Sequence, residues 1–395
     1  MGGALPGRGV VVDESSGAGG KPTNWVRGPA ERKMAGHMMR LPYAGRRTRP
    51  LIIINAFSLG AWATGMSLAA ALAECAILKS IGPDIDKIVD TLNDFGPLYD
   101  YVVLGYPPFL KRLADDDRID WPRFTIDAGY GGEALTERLR SFLQSRFRWV
   151  MGSYGATDLG LSLAMETDLS VRLRQAIIEN EGLRAATIKS NHGVIPSIYQ
   201  FNPMSQHIES LDSGEISITL GRDDYLEPKI RYNIRDRGHV LRYPDLVDVL
   251  RRTGHTGLIT DHRRSQDLPL LFLYGRSDMS VEYYGTTLPP DPVKEAISAT
   301  PGLGLIVHSF KLTAYDDDKN DRRLRIDLEL EPGLEAPGDR DELGVELIET
   351  LARLHGDFRD SVAIAPEANR PIVAFYAFRS GPFAGAPALI KNRYV

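Results

Sequence analysis

Cysteine is almost missing from this chain: Cys75 stands alone among 395 residues. That excludes an internal disulfide and a metal site built from cysteines, and it suits a reducing, cytoplasmic setting. No charged stub followed by an apolar core opens the chain, so no secretion signal is expected. There is no excess of positive charge either. The formal net charge is −5, which leaves no electrostatic footprint for nucleic acid. Long hydrophobic runs are also lacking. The stretch from Leu51 to Leu78 has Glu74 as its only charge before Lys79, yet it contains Asn55, Ser58, Gly60 and Gly65. A spanning helix needs about 20 mostly apolar residues without turn chemistry, so a buried strand (Leu51–Asn55) and a buried helix (Leu59–Ala73) fit better. No internal repeat and no long low-complexity segment is present.

What is there is ordinary soluble composition, 43% hydrophobic and 25% charged, in a chain long enough for two domains. Strand-like and helix-like runs alternate through the first half. Leu51–Asn55 and Tyr101–Leu104 are apolar enough for strands covered on both faces. Ile85, Ile88, Val89 and Leu92 recur at helical spacing in Asp84–Asp94. Leu135, Leu139, Phe142 and Leu143 do the same in Glu133–Phe147. This alternation predicts an α/β fold with a parallel sheet. After Gly182 the pattern becomes more antiparallel and β-rich. After Gly285 it reads as a small α+β unit: a helix over Pro292–Ser298, strands over Leu305–Tyr315 and Leu324–Glu331, and a helix over Asp341–His355. The expectation is a large N-terminal α/β domain with a β-rich subdomain, residues 1–277, and a small mobile C-terminal α+β domain, residues 278–395.

Five short segments carry the chemistry. Ser15-Ser-Gly-Ala-Gly-Gly-Lys21 follows the strand-like Val10–Asp13. Its glycines can turn backbone N–H groups toward an anion, and Lys21 adds charge. It is not a Walker A loop, because Ser15 and Pro22 stand where that motif has Gly and Ser/Thr. Gly131-Gly132-Glu133 is the second segment. Tyr154-Gly155-Ala-Thr157-Asp158 follows an apolar strand, where open α/β sheets bind ligands. Thr157 offers a hydroxyl to phosphate, and Asp158 a hard oxygen to Mg²⁺. In Arg231–Gly238, the Asp236 carboxylate can accept both hydroxyls of a ribose. The same run also reads as an exposed salt-bridged loop, with three arginines around one aspartate. Gly275-Arg276-Ser277-Asp278 joins an apolar strand to the C-terminal unit.

In this order the segments resemble the adenylate-forming (AMP-forming acyl-CoA synthetase) superfamily, and within it the phenylacetate–CoA ligase-like branch. The resemblance covers nearly the whole chain. It implies an ATP-dependent ligase that uses Mg²⁺, activates a small-molecule carboxylic acid (aryl or arylacetyl) as its adenylate, and passes it to the thiol of coenzyme A. Delivery to a carrier protein or an amine, and a degenerate non-catalytic nucleotide-binding protein, remain as alternatives. By the same resemblance, Ser15, Ser16, Gly17, Gly20 and Lys21 would hold phosphates. Gly131, Gly132 and Glu133 would border the adenine, and Tyr154 the adenine and acyl region. Gly155 would lie against the nucleotide, Thr157 would contact phosphate and act as a catalytic residue, Asp158 would face the metal, Asp236 the ribose, and Arg276 ribose or phosphate. Asp278 would be the hinge of the mobile domain. Lys391, near the C-terminus, would be the catalytic lysine that neutralises charge during adenylation. Phe57 and Trp62 would wall the acyl pocket, or else sit in the core. The expected assembly is a monomer or homodimer, with no membrane and no nucleic acid.

The sequence departs from the family pattern in three ways. Ala18 and Gly19 replace hydroxyl residues of the phosphate loop. Asp158 replaces a glutamate. The phosphate loop starts almost at the N-terminus, where relatives carry a further segment; this branch dispenses with it, the start is misassigned, or the chain is a fragment.

Overall fold

The structure, a computed structural model, describes residues 8–14, 23–40, 49–60, 63–73, 76–189, 195–221, 225–260 and 267–384. The chain divides into two compact units whose main spans are Asn24–Ser277 and Asp278–Val395. The expected phosphate-loop residues Ser15, Ser16, Gly17, Gly20 and Lys21 lie outside the described residues, as do Trp62, Cys75 and Lys391.

In the first unit a hairpin of β1 (Val11–Glu14) and β2 (Asn24–Arg27) pairs Glu14 with Asn24. Helix α1 (Pro29–Arg40) follows. Strands and helices then alternate: β3 (Leu51–Asn55), α2 (Ala63–Leu72), β4 (Ile77–Ser80), α3 (Ile85–Phe95), β5 (Asp100–Gly105), α4 (Pro107–Ala114), β6 (Thr125–Gly131), α5 (Glu137–Gln144) and β7 (Val150–Ala156). Ile52, Ile53 and Ile54 are all buried, as a strand covered on both faces requires. The Asp84 carboxylate accepts from the Lys87 backbone N–H at 3.1 Å and caps α3, whose Ile88, Val89 and Leu92 face the core. The two helices expected over Leu59–Ala73 and Glu133–Phe147 are shorter than their apolar patterns. Thr136 caps α5, so residues 133–136 stay outside it.

The chain then reverses. β8 (Gly160–Met165) pairs antiparallel with β7, because so short a turn cannot make a parallel crossover. After α6 (Asp168–Glu179) and α7 (Glu181–Thr187), β9 (Ser197–Gln200) joins the same sheet. β10 (His207–Ser210), β11 (Ile216–Leu220) and β12 (Lys229–Tyr232) form a sheet of their own. β13 (Asp236–Leu241), α8 (Tyr243–Thr253), α9 (Gly257–Thr260) and β14 (Leu270–Arg276) complete the unit. The main sheet has the order β13-β14-β9-β8-β7-β6-β5-β3-β4. The antiparallel half therefore starts at β8, upstream of Gly182, and half of the expected β-rich subdomain belongs to the main sheet.

The second unit has a short hairpin, β15 (Val281–Tyr283) with β16 (Thr286–Leu288), then α10 (Pro290–Ala299). Long strands β17 (Val307–Asp316) and β18 (Arg322–Leu330) pair antiparallel. After α11 (Arg340–Leu354) and α12 (Gly356–Ile364), β19 (Ile372–Tyr376) lies parallel to β18. Its own core is built on Phe310, Leu312, Ile326, Leu328, Leu347 and Phe358. Among the described residues, no helix is long and apolar enough to cross a membrane.

Candidate active site

The carboxyl ends of β6 and β7 lie side by side, with Gly131 in register with Ser153. A Cβ on Gly131 would stand 3.1 Å from the Ser153 hydroxyl. Gly132 has a φ of +80°, and a Cβ there would meet the Tyr106 ring at 2.7 Å. Both positions leave bare backbone beside the sheet edge, and Gly132 is held where an L side chain is strained. Glu133 is buried just beyond. Phe57 packs edge-on against Tyr106, ring centroids 4.9 Å apart, in a core with Ile53, Leu72 and Val102. It lies buried in that core next to the glycine step. Asn55 holds the loop that carries Phe57: its Nδ2 donates to the Gly65 carbonyl at 2.8 Å, and its Oδ1 accepts from the Phe57 N–H.

One residue past that step on β7, the Tyr154 hydroxyl donates to Asp236 Oδ2 at 2.6 Å. Asp236 opens β13 and pairs in register with Arg276 at the end of β14; Arg276 Nη1 is 3.7 Å from Asp236 Oδ1. The ladder shifts register between Arg237 and Gly238, where β14 carries one extra residue, Tyr274. Asp236 is 7% exposed, so the reading of this run as an exposed salt-bridged loop does not hold for its aspartate. Burial first, then the neighbouring Asp236 charge, raise the Tyr154 pKa well above the usual tyrosine value, so Tyr154 stays a donor. Tyr154 thus lies beneath the aspartate and orients it.

Thr157 and Asp158 occupy the turn between β7 and β8, just after a register shift that spans Gly155. Tyr232, at the end of β12, donates its hydroxyl to Asp158; burial and that carboxylate push the Tyr232 pKa up to about 12. Arg27, at the end of β2, is buried; it donates to the Thr157 carbonyl, and its Nε lies 3.4 Å from Asp13 Oδ2 across the hairpin. The strands bracketing residues 15–23 are thereby fixed to the turn that carries Thr157.

Ser277, the last residue of the first unit's main span, is also anchored. Its N–H donates to the Arg235 carbonyl at 2.7 Å and its hydroxyl to Glu215 Oε1 at 2.5 Å. Glu215 accepts from Asn233 Nδ2 as well, at 2.7 Å, and these hydrogen bonds hold its carboxyl below the usual range. Asp278 begins the second span, where its carboxylate accepts from the Ser280 N–H at 3.2 Å.

The structure therefore brings together Gly131, Gly132, Tyr154, Asp158, Asp236 and Arg276 along one edge of the main sheet. Sequence reading missed Tyr232, Arg27, Asp13, Asn55 and Glu215. Tyr232 stood inside the Arg231–Asp236 segment and was legible there as a second polar ring. The others have no local signal, because their partners are remote in the chain. Among the described residues no group of three or more His, Cys, Asp or Glu side chains is placed to hold a metal ion.

No family model and no curated protein matches this chain. Solved structures do. The fold is similar to that of amide bond synthetase McbA from Marinactinospora thermotolerans, with a TM-score of 0.56 and 16% identity over 96% of this chain and 68% of that one. It is also similar to the I454R/A456K variant of o-succinylbenzoate CoA synthetase from Bacillus subtilis, solved with OSB-NCoA (TM-score 0.54, 12% identity, 94% of this chain, 66% of that). A malonyl-CoA ligase with methylmalonyl-CoA and AMP bound gives 0.53 and 14% over 94% of this chain and 71% of that one.

Proposed function

We propose that the protein is an ATP-dependent, AMP-forming ligase that activates a carboxylic acid and passes it to an acceptor nucleophile. The observation that carries this reading is Asp236: a buried carboxylate oriented by Tyr154 and Arg276, beside the Gly131–Gly132 step, at the sheet edge where such folds bind ligands. The bare glycine backbone suits a flat adenine, and the aspartate suits a ribose diol. The order of the five segments supports the same reading, and with it the phenylacetate–CoA ligase-like branch.

In the first step an oxygen of the acid attacks the α-phosphorus of ATP. An O–P bond forms, the bond to the β-phosphate oxygen breaks, and pyrophosphate leaves with that electron pair. In the second step the acceptor, coenzyme A by preference, attacks the acyl carbon; the acyl C–O bond breaks and AMP leaves. Such transfers depend mainly on positioning and on neutralising charge. Residues 1–277 would hold the nucleotide and residues 278–395 would turn about Asp278, with Lys391 as the candidate for charge neutralisation.

Mg²⁺ fits the residues present. It binds through one or two carboxylates plus substrate phosphates and water, and Asp158 supplies one carboxylate in the turn after β7. When bound, the ion would neutralise phosphate charge; Tyr232 keeps Asp158 oriented toward that task.

Isotope exchange between ATP and pyrophosphate, run across aliphatic and aryl acids, tests the reading. Acid-dependent exchange is the expected result. No exchange with any acid, alongside measurable AMP binding, would leave a nucleotide-binding protein without ligase activity. Trapping the acyl group on coenzyme A, on hydroxylamine or on a carrier protein then identifies the acceptor.

A further inference from the structure

A cavity of about 540 Å³ opens beside Thr157, bounded by the β1–β2 hairpin, α1, α2 and β8. Its described lining residues all belong to the first compact unit. Pockets of roughly 300–1,000 Å³ take small organic ligands. Of the described site residues discussed above, Thr157 lines it while Gly131, Tyr154, Asp236 and Arg276 do not. The cavity is thus distinct from the nucleotide cluster and meets it at the turn where adenylation would occur.

The character of the wall is specific. Met34, Met39, Met66, Leu159, Leu163 and Leu220 supply its apolar surface. Tyr225 is the one benzenoid ring among the described lining residues. A pocket that sorts planar rings offers aromatic faces for offset stacking. A methionine wall, with three rotatable bonds per side chain, instead follows a flexible body. Charge favours the carboxylate that either kind of acid carries. Asp13 and Glu31 line the cavity but are engaged, Asp13 by Arg27 and Glu31 by the Gly28 N–H at 2.7 Å. Arg32 and Lys33, exposed on α1, line it as well and add positive charge that favours an anion.

We propose that this cavity is the acid half of the site and takes an aliphatic carboxylic acid, its alkyl body along the methionine wall and its carboxylate at Thr157. The inference rests on the adenylation reading for its chemistry, and it replaces the aryl or arylacetyl expectation for the acid.

The test uses the full chain with octanoate, benzoate and phenylacetate. Direct binding is measured by calorimetry without ATP, and pyrophosphate exchange with ATP. Octanoate is expected to bind at least tenfold more tightly than either aromatic acid. Ala70 lines the cavity and is exposed on α2, so Ala70→Trp fills the space without entering the core. That variant is expected to lose at least tenfold in octanoate affinity, and its AMP affinity reports that it is folded. Met66→Trp is the second filling variant, should the first unfold. Equal or tighter binding of the aromatic acids, or octanoate binding indifferent to both fillings, would overturn the proposal. If octanoate binds and the fillings abolish it, yet no acid supports exchange, the cavity assignment stands and the ligase reading falls.

Discussion

From β4 to β7 the main sheet is parallel, and apart from the Tyr154 hydroxyl what it brings to the candidate site is backbone: the bare step at Gly131–Gly132 and the turn at Thr157. From β8 to β13 it is antiparallel, and what it brings is charge set by register: Asp236 opposite Arg276. The parallel strands are covered on both faces, so their side chains are spent on packing, and the ends of the strands are what a ligand can reach. In the antiparallel half, cross-strand pairs place one ionic side chain against another. On the proposed reading, one half would shape the nucleotide's berth and the other would orient its polar contacts.

Mutations can break or sharpen that contrast. The largest effect is expected from Asp236→Ala, which removes the acceptor of the buried Tyr154 hydroxyl and a charge partner of Arg276. A urea melt should lose about 3–4 kcal/mol, and AMP affinity, read by calorimetry, should fall more than tenfold. Full affinity in this variant would remove the antiparallel half from nucleotide binding.

The next effect is in acid. His239, on β13, is buried between Thr187 and Tyr274 and stacks on Phe272, ring centroids 4.5 Å apart. Burial, with Lys189 nearby, lowers its pKa from 6.5 to about 4. The neutral ring is favoured in the folded state, so its contribution is complete above pH 6.5 and is lost as pH falls toward 4. About 3 kcal/mol of stability should disappear over that window. His239→Gln should flatten this part of the stability–pH profile; an unchanged slope would assign the acid sensitivity elsewhere.

Smaller, and on the parallel side, Gly132→Ala should cost about 2 kcal/mol in a urea melt, from its left-handed φ and the Tyr106 contact, and should weaken AMP binding. Gly254→Ala is the matched control, with a φ of +77° and nothing within 4 Å of the added carbon. It should cost about 1 kcal/mol and leave AMP affinity alone. Equal AMP affinity in both variants would show that the glycine step does not face the nucleotide. The smallest change is expected from Tyr154→Phe, about 1 kcal/mol or roughly fivefold in AMP affinity, since Asp236 keeps Arg276.

The parallel half was also the more legible from sequence. Leu51–Asn55 reads as a buried strand because every residue on it points into apolar surroundings, and the structure gives the same bounds. In the small unit α10, β17, β18 and α11 were legible for the same reason, with ends displaced by one or two residues, while β15, β16, α12 and β19 were not read. The antiparallel half was blurred, because a strand such as β13 (Asp-Arg-Gly-His-Val-Leu) carries mixed polarity and is assigned to the main sheet only by partners far along the chain on β14. Asp236 was legible through its motif. Its orientation by Tyr154, 82 positions earlier, was not. Arg27 and the methionine-walled cavity were invisible for the same reason: each exists only once remote segments pack. The phosphate-loop residues and Lys391, prominent in the sequence, lie outside the described residues.

The extra residue in β14 has a consequence for how such a site can arise. Leu273 lies opposite Gly238 and Arg276 opposite Asp236, so Tyr274 is counted by one strand and not by the other. Simple alternation from Phe272 would send Arg276 to the side of the sheet where His239 and α8 pack. The bulge absorbs that residue, so Arg276 faces Asp236 just as it would in a regular ladder one residue shorter. The arginine–aspartate pair can therefore arise on strands of either length, and what the extra residue changes is the side of the sheet that Tyr274 itself joins, beside His239.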